Sequence, residues 1–125
     1  MPNPPVDIDK LYEILRDIAN AKEVWSYKNL SREYHRRFAV SYPWRNTWGP
    51  PLLIINTRAF KHKLPALSAV ITYAPLQGVW YSPPGDGFWG CPGVPQQPSR
   101  RIDEYKEWIR ILNDVHANVW PVSLP

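Results

Sequence analysis

Residues 64–93, LPALSAVITYAPLQGVWYSPPGDGFWGCPG, are the stretch that decides the predicted fold. An alternation over residues 67–73 predicts a strand with at least one buried face, since Leu67, Ala69, Ile71 and Tyr73 alternate with Ser68, Val70 and Thr72. Residues 74–78 contain proline and glycine and predict a turn, so residues 79–81 would form the returning strand of a β-hairpin. The proline- and glycine-rich loop that follows can be ordered without regular secondary structure.

Two helices are predicted near the start of the chain. Asp7 can cap a first helix over about residues 8–20, because apolar residues recur there at helical spacing. Ser26 can cap a second helix, whose apolar stripe ends at Phe38. Both capping residues carry a side-chain oxygen that can accept a hydrogen bond from an unpaired first-turn N–H group.

Two further segments are assigned to helices. Residues 51–60 could form a buried strand, but a proline at the first helical position and the apolar spacing that follows favour a third helix. Residues 101–119 keep an apolar stripe at helical spacing and predict the last helix. We expect Trp108 in the core and Trp120 at its margin.

Length and composition indicate one domain. A chain of 125 residues with an ordinary apolar share is long enough to bury a core. The expected parts are a flexible lead over residues 1–6, a basic helical part over 7–63, the hairpin and loop over 64–98, and a helix over 99–120. No apolar run approaches the roughly 20 residues of a membrane span, and the first residues lack the apolar core of a signal peptide. The expected location is the cytoplasm of a bacterium or of a phage-infected cell.

Positive charge is concentrated in one part of the chain. From Lys28 to Lys63 there are eight basic residues and one acid, whereas the rest of the chain has seven basic and ten acidic residues. On the second helix, Lys28, Arg32 and Arg36 stand four residues apart and stack in one row. Like charges in a row repel, so stability alone does not favour this pattern. The pattern is typical of a surface that binds a polyanion.

Three helices followed by a β-hairpin resemble a winged helix, so the predicted class is α+β with a C-terminal helix added. In a winged helix the third helix enters the major groove of DNA and the hairpin contacts the backbone. The implied partner is nucleic acid; duplex DNA is the first expectation, and RNA stays open as an alternative. Phosphate contacts are expected from Lys28, Arg32, Arg36 and Arg37, base contacts from Arg45, Asn46 and Thr47, and further positive charge from Arg58, Lys61 and Lys63. The last three lie where cations also suit the dipole of the third helix.

Four short motifs resemble those of a group of small uncharacterised bacterial and phage proteins. These are SYKNLS at 26–31, PPLL at 50–53, LPALSAV at 64–70 and PGDGF at 84–88. The resemblance implies a winged-helix-like shape but no activity. A fainter similarity to the winged-helix domain of alkylguanine-DNA alkyltransferases stops at Pro65, because the nucleophilic cysteine of that family has no counterpart here. Alkyl transfer is therefore excluded.

No group of residues predicts catalysis. The three histidines, His35, His62 and His116, have no metal-ligand spacing with each other or with carboxylates. The single Cys91 cannot form an internal disulfide, and a nearby acid, Asp86, would raise the pKa of its thiol. The sequence therefore predicts a protein that is not an enzyme and that holds no metal and no cofactor.

A protein-interaction module is the alternative function. Exposed aromatic residues in the loop would anchor it on a partner. The partner would be an anionic protein or a protein that itself binds nucleic acid. An example of such a module would be a phage protein that inhibits a host defence complex. An aromatic surface would also suit a homodimer. The anchors of this second hypothesis are Trp80, Tyr81, Phe88 and Trp89.

Overall fold

The computed structural model describes residues 5–43, 47–73, 84 and 86–125, and it gives the chain an α+β fold. Within these residues there are four α-helices, two 3-10 segments and a parallel sheet of two short strands. The helices are α1 (Ile8–Asn20), α2 (Tyr27–Phe38), α3 (Gly49–Lys61) and α4 (Arg101–Ala117), the strands are β1 (Trp25–Ser26) and β2 (Ile71–Thr72), and the 3-10 segments are Leu67–Val70 and Asp86–Phe88.

The first two helices begin where the sequence predicts. The Asp7 carboxylate accepts hydrogen bonds from the backbone N–H groups of Asp9 and Lys10, at 3.0 and 3.2 Å. The Ser26 hydroxyl accepts one from the N–H of Asn29 at 3.1 Å. These bonds satisfy N–H groups that have no partner inside the helix, which fixes the start of each helix. The predicted caps and the bounds of α1 and α2 are confirmed.

Residues 51–60 form a helix, not a strand. Two prolines stand in the first turn of α3, where their missing N–H groups cost no helical hydrogen bond. Ile55 and Ala59 are fully buried, whereas Leu53 and Ile54 are each 46% exposed. The run of apolar residues therefore divides between an inner and an outer face of one helix, and the predicted helix is confirmed.

The predicted strand over residues 67–73 is wrong for its first four residues. Leu67–Val70 form a 3-10 segment in which all four residues are buried, so the alternation of side chains does not correspond to two faces. The Ser68 N–H donates to the side-chain oxygen of Asn56 at 3.1 Å. Since a side chain of α3 satisfies this backbone group, the segment needs no neighbouring strand there.

The two strands pair in parallel, with Ser26 opposite Thr72. A parallel pair needs a crossover connection, which α2 and α3 supply between β1 and β2. Thr72 also makes an isolated antiparallel bridge to Pro84. The predicted return of the hairpin at residues 79–81 lies outside the described residues. The parallel pairing with β1 is a contact that the sequence analysis missed.

The 3-10 segment Leu67–Val70 lies at the centre of the core, in contact with α1, α3 and α4. The indole N–H of Trp108 donates to the carbonyl oxygen of Ala69 at 2.9 Å, so the prediction of a core position for Trp108 is confirmed. Trp120 is also buried, and the prediction of a marginal position is wrong. Its indole N–H donates to the carbonyl oxygen of Val115 at 2.9 Å, so its burial leaves no donor unpaired.

Candidate nucleic-acid interface

Three cations of α2 form the cationic row, defined as Lys28, Arg32 and Arg36. All three are exposed, and the Arg36 side chain keeps 68% of its surface accessible. Because the Ser26 cap fixes where α2 begins, the spacing of four residues aligns the row along one side of the helix. Lys28 and Arg32 have no ion-pair partner in the described part of the chain. Their charge is therefore available to an external anion.

A shallow groove of about 200 Å³ borders the cationic row. Trp25 and Asn29 line it together with Arg32, Glu33 and Arg36. The Trp25 indole N–H donates to the Glu23 carboxylate at 3.0 Å, which orients the ring. The sequence analysis did not assign Trp25 or Asn29 to a site. The one sequence feature that could have pointed to them was their position close to Ser26, the residue that caps α2.

Among the described residues that line this groove, Glu33 is the one acid. Its carboxylate accepts two hydrogen bonds from Arg36, at 2.7 and 2.6 Å, and one from the Nε of Arg37 at 2.7 Å. The hydrogen bond from Arg36, assisted by that from Arg37 and opposed by partial burial, lowers the pKa of Glu33 from 4.5 to about 2. Arg36 therefore keeps an exposed side chain but shares its charge with Glu33.

Arg37 does not belong to the outer surface of α2. Its side chain is mostly buried and turned towards α1, where one terminal nitrogen lies 2.9 Å from the Asp17 carboxylate and 3.8 Å from that of Glu13. Its Nε bonds to Glu33. Because one guanidinium serves carboxylates on both helices, Arg37 joins α1 to α2. It has little remaining capacity for a phosphate.

The Arg58 side chain is hydrogen-bonded to residues 124 and 125. Its guanidinium donates to the carbonyl oxygens of Leu124 and Pro125, at 3.2 and 3.0 Å. The same segment is held against α1, since the Tyr12 hydroxyl donates to the Pro121 carbonyl oxygen at 2.6 Å. Arg58 therefore stabilises the packing of this segment.

The remaining residues predicted to contact nucleic acid fall into three groups. Lys61 and Lys63 are exposed at the end of α3, and Lys63 adopts the left-handed conformation with φ of 60°. Thr47 is half-buried two residues before α3 begins. Arg45 and Asn46 lie outside the described residues.

Of the four predicted loop anchors, Phe88 and Trp89 belong to the described residues. Phe88 is buried in the core, and Trp89 is half-buried with its ring against that of Phe88, 5.1 Å between centroids. The Phe88 ring is thus occupied by contacts within the protein. Trp80 and Tyr81, the other two anchors of the alternative hypothesis, lie outside the described residues.

The described residues show neither a metal-binding cluster nor a helix that could span a membrane. Among them, no three His, Cys, Asp or Glu side chains come together in a way that could hold a metal ion. No helix of this part of the chain combines the length and apolar character needed to cross a membrane. Cys91 is buried, and this burial raises the pKa of its thiol although a hydrogen bond from Asn56 opposes the shift.

Comparison with known proteins found no matching family model, no matching curated protein and no matching solved structure. The assignment of a function therefore depends on the surfaces described above.

Proposed function

We propose that the protein binds nucleic acid through the cationic row of α2. The observation that carries the proposal is that Lys28 and Arg32 are exposed and have no acidic partner in the described chain, although like charges four residues apart repel. An anionic partner relieves this repulsion. The backbone phosphates of nucleic acid supply regularly spaced negative charge along a line.

The dimensions of the row suit such a partner. Arg36 follows Lys28 by eight positions of α-helix, which is a rise of about 12 Å along the helix axis. A single strand of duplex DNA presents one phosphate per roughly 3.4 Å of its axis, so the row spans about three phosphates. Contacts of this kind position a protein on a duplex and carry no sequence information.

A winged-helix mode of binding is part of the proposal. The order of α1, β1, α2 and α3 supports this mode, in which α3 would enter the major groove. The exposed side chains of α3 include Leu53 and Ile54, which can contact thymine methyl groups but cannot form hydrogen bonds to bases. Base recognition by α3 would therefore be weak, and most of the affinity would come from phosphate contacts.

Fluorescence anisotropy with labelled duplex DNA tests the proposal. For three phosphate contacts we expect affinity to fall about 40-fold between about 50 and about 200 mM salt. Arg32→Glu should weaken binding strongly, and Lys106→Glu is the matched control because Lys106 is an exposed cation of α4 outside the row. Equal effects of the two reversals, or no binding at low salt, would contradict the proposal.

A second candidate function is binding of a protein that presents an acidic surface. Leu53 and Ile54 favour it, since two neighbouring large apolar side chains on one helix face are better suited to a protein contact than to a charged backbone. The cationic row would complement the acidic surface. Leu53→Ala combined with Ile54→Ala should abolish capture of such a partner, and it should leave the salt dependence of DNA binding in place because it changes no charge.

A further inference from the structure

A second concave surface lies between the end of α3 and α4, away from the residues of the cationic row. We call it the aromatic groove. Its volume is about 500 Å³, which lies within the range of about 300–1,000 Å³ typical of sites for small ligands. Its lining includes Phe60, Lys63, Gly93, Arg110, Asp114 and Asn118.

Phe60 presents an aromatic ring to this groove. Phe60 is 53% exposed, compared with 37% for Tyr73. One edge of the ring lies against Gly93, because a Cβ on Gly93 would come within 3.0 Å of the Cδ2 atom of Phe60. Gly93 also has a φ of +84°, a conformation that favours glycine. The backbone at Gly93 thus supports the ring while much of its surface stays accessible.

The turn after α3 fixes the position of Lys63 beside that ring. The N–H groups of Lys63 and Leu64 donate to the carbonyl oxygens of Phe60 and Ala59, at 3.0 and 2.9 Å. Lys63 takes the left-handed conformation that commonly ends a helix. The cation and the aromatic ring are therefore held by the same short turn.

The opposite wall, from α4, carries mixed charge. Arg110 donates through Nε to Glu107 at 2.9 Å, and its two terminal nitrogens donate to no other described residue. Asp114 also lines the groove. Asn118 adds an amide that donates to the Asp114 backbone carbonyl oxygen at 2.7 Å. The groove thus combines an aromatic ring, two cations and one carboxylate.

We propose that the aromatic groove binds an unpaired nucleotide of a single-stranded nucleic acid. The base would stack on Phe60, the phosphate would contact Lys63 and Arg110, and amino groups on the base edge would donate to Asp114. Exposed aromatic rings bordered by cations bind single strands in this way, since every base has a stacking face. In a duplex both faces of each base are covered by neighbouring base pairs, so the groove should not bind it. The inference rests on the proposed function only in naming nucleic acid as the partner.

The test compares a labelled single strand of about ten nucleotides of mixed sequence with a duplex of the same sequence, by anisotropy at low salt. Phe60→Ala should weaken binding of the single strand about tenfold, because stacking of one base on an aromatic ring is lost. Phe60→Tyr should restore it, and the duplex should bind unchanged. Ile102→Ala is the control, since it removes an exposed large apolar side chain of α4 that does not line the groove.

The outcomes separate this inference from the proposed function. If the Phe60→Ala variant binds the single strand as tightly as the unaltered protein, the groove is not a nucleotide site. The same conclusion holds if its affinity for the duplex falls as much as its affinity for the single strand. That result leaves the cationic row untouched. If Arg32→Glu has no effect on either probe while Phe60→Ala weakens the single strand, the proposed function fails and the groove proposal stands. Absence of binding to both probes overturns both.

Discussion

Asn56 of α3 and Ser68 of the central 3-10 segment hold each other by two hydrogen bonds. The Asn56 amide nitrogen donates to the Ser68 hydroxyl at 2.7 Å, and the Ser68 backbone N–H donates to the Asn56 side-chain oxygen at 3.1 Å. Both residues are buried, and the amide nitrogen also lies 3.5 Å from the Cys91 sulfur. This small polar group therefore links α3, the central segment and the loop before α4.

Removal of the Asn56 amide should be strongly destabilising. Asn56→Ala leaves the Ser68 N–H buried without a partner and opens a small cavity, so we expect a loss of about 3 kcal/mol in the free energy of unfolding. Ser68→Ala loses only the bond to the hydroxyl and should cost about 1 kcal/mol. Urea unfolding measures both changes.

The control for these two variants is Asn113→Ala, since Asn113 is exposed on α4. It should change the free energy of unfolding by less than about 0.5 kcal/mol. An equally small change for Asn56→Ala would mean that the pair with Ser68 is not the contact that places the central segment.

Cys91 should react slowly with thiol reagents in the folded protein. The thiol is buried, and this burial raises its pKa, so little reactive thiolate is present at neutral pH. We expect labelling by a disulfide reagent at about pH 8 to be at least about 100-fold slower in buffer than in concentrated urea. Fast labelling in buffer, with the protein still folded by circular dichroism, would contradict the burial of the Cys91 side chain.

The hydrogen-bonded pair of Asn56 and Ser68 explains why the predicted strand over residues 67–70 is wrong. Residues 67–70 alternate as a strand does, and nothing local indicates that Ser68 is paired with a side chain twelve residues earlier. The helices α1 and α2 were predictable because their caps and apolar stripes are local signals. The failure at residues 67–70 arose because the partner of a buried backbone group is set by tertiary packing.

In the candidate site, too, local features were predictable from the sequence and features set by tertiary contacts were not. The cationic row followed from helical spacing, since its three residues stack along one helix. Helical spacing did not predict that Arg37 and Arg58 bond to other parts of the protein and do not serve the outer surface. Their partners, Asp17 and the last two carbonyl oxygens, are about 20 and about 66 residues away in the chain. The groove at Phe60 was missed because it requires α4 to lie beside the end of α3.

Glu33 should make stability depend on acid pH. Its pKa is lowered to about 2 in the folded protein from 4.5, so its contribution is fully present above about pH 4.5 and is lost as pH falls towards about 2. After allowance for solvent screening, we expect Glu33→Gln to cost about 1 kcal/mol at neutral pH. The difference between variant and parent should shrink between about pH 4.5 and about pH 2 in chemical denaturation series.

Glu107→Gln is the matched control for Glu33→Gln. Glu107 bonds to one arginine on the surface of α4, whereas Glu33 bonds to two. Its replacement should cost at most about 0.5 kcal/mol. A constant difference between Glu33→Gln and the parent across the whole acid range would show that the carboxylate does not titrate as the ion pairs require.

Arg32 and Arg58 should separate binding from stability. Both variants to alanine remove one positive charge from the basic part of the chain, so their effect on net charge is identical. Arg32 is exposed without an ion-pair partner in the described residues, whereas Arg58 is bonded to two carbonyl oxygens. Arg32→Ala should reduce the slope of log affinity against log salt by about 1, and Lys28→Ala combined with it should reduce the slope by about 2. Arg58→Ala should leave the slope unchanged.

The stability of the same variants should show the opposite order. Arg58→Ala leaves two carbonyl oxygens without their charged donor and should cost about 2 kcal/mol in the free energy of unfolding, whereas Arg32→Ala should cost less than about 0.5 kcal/mol. Anisotropy across a salt series and urea unfolding on one set of samples give both quantities. If Arg58→Ala lowers the salt slope as much as Arg32→Ala, its guanidinium reaches phosphate in the complex. The segment around Leu124 would then have to leave α3 when nucleic acid binds, since it occupies the same donors.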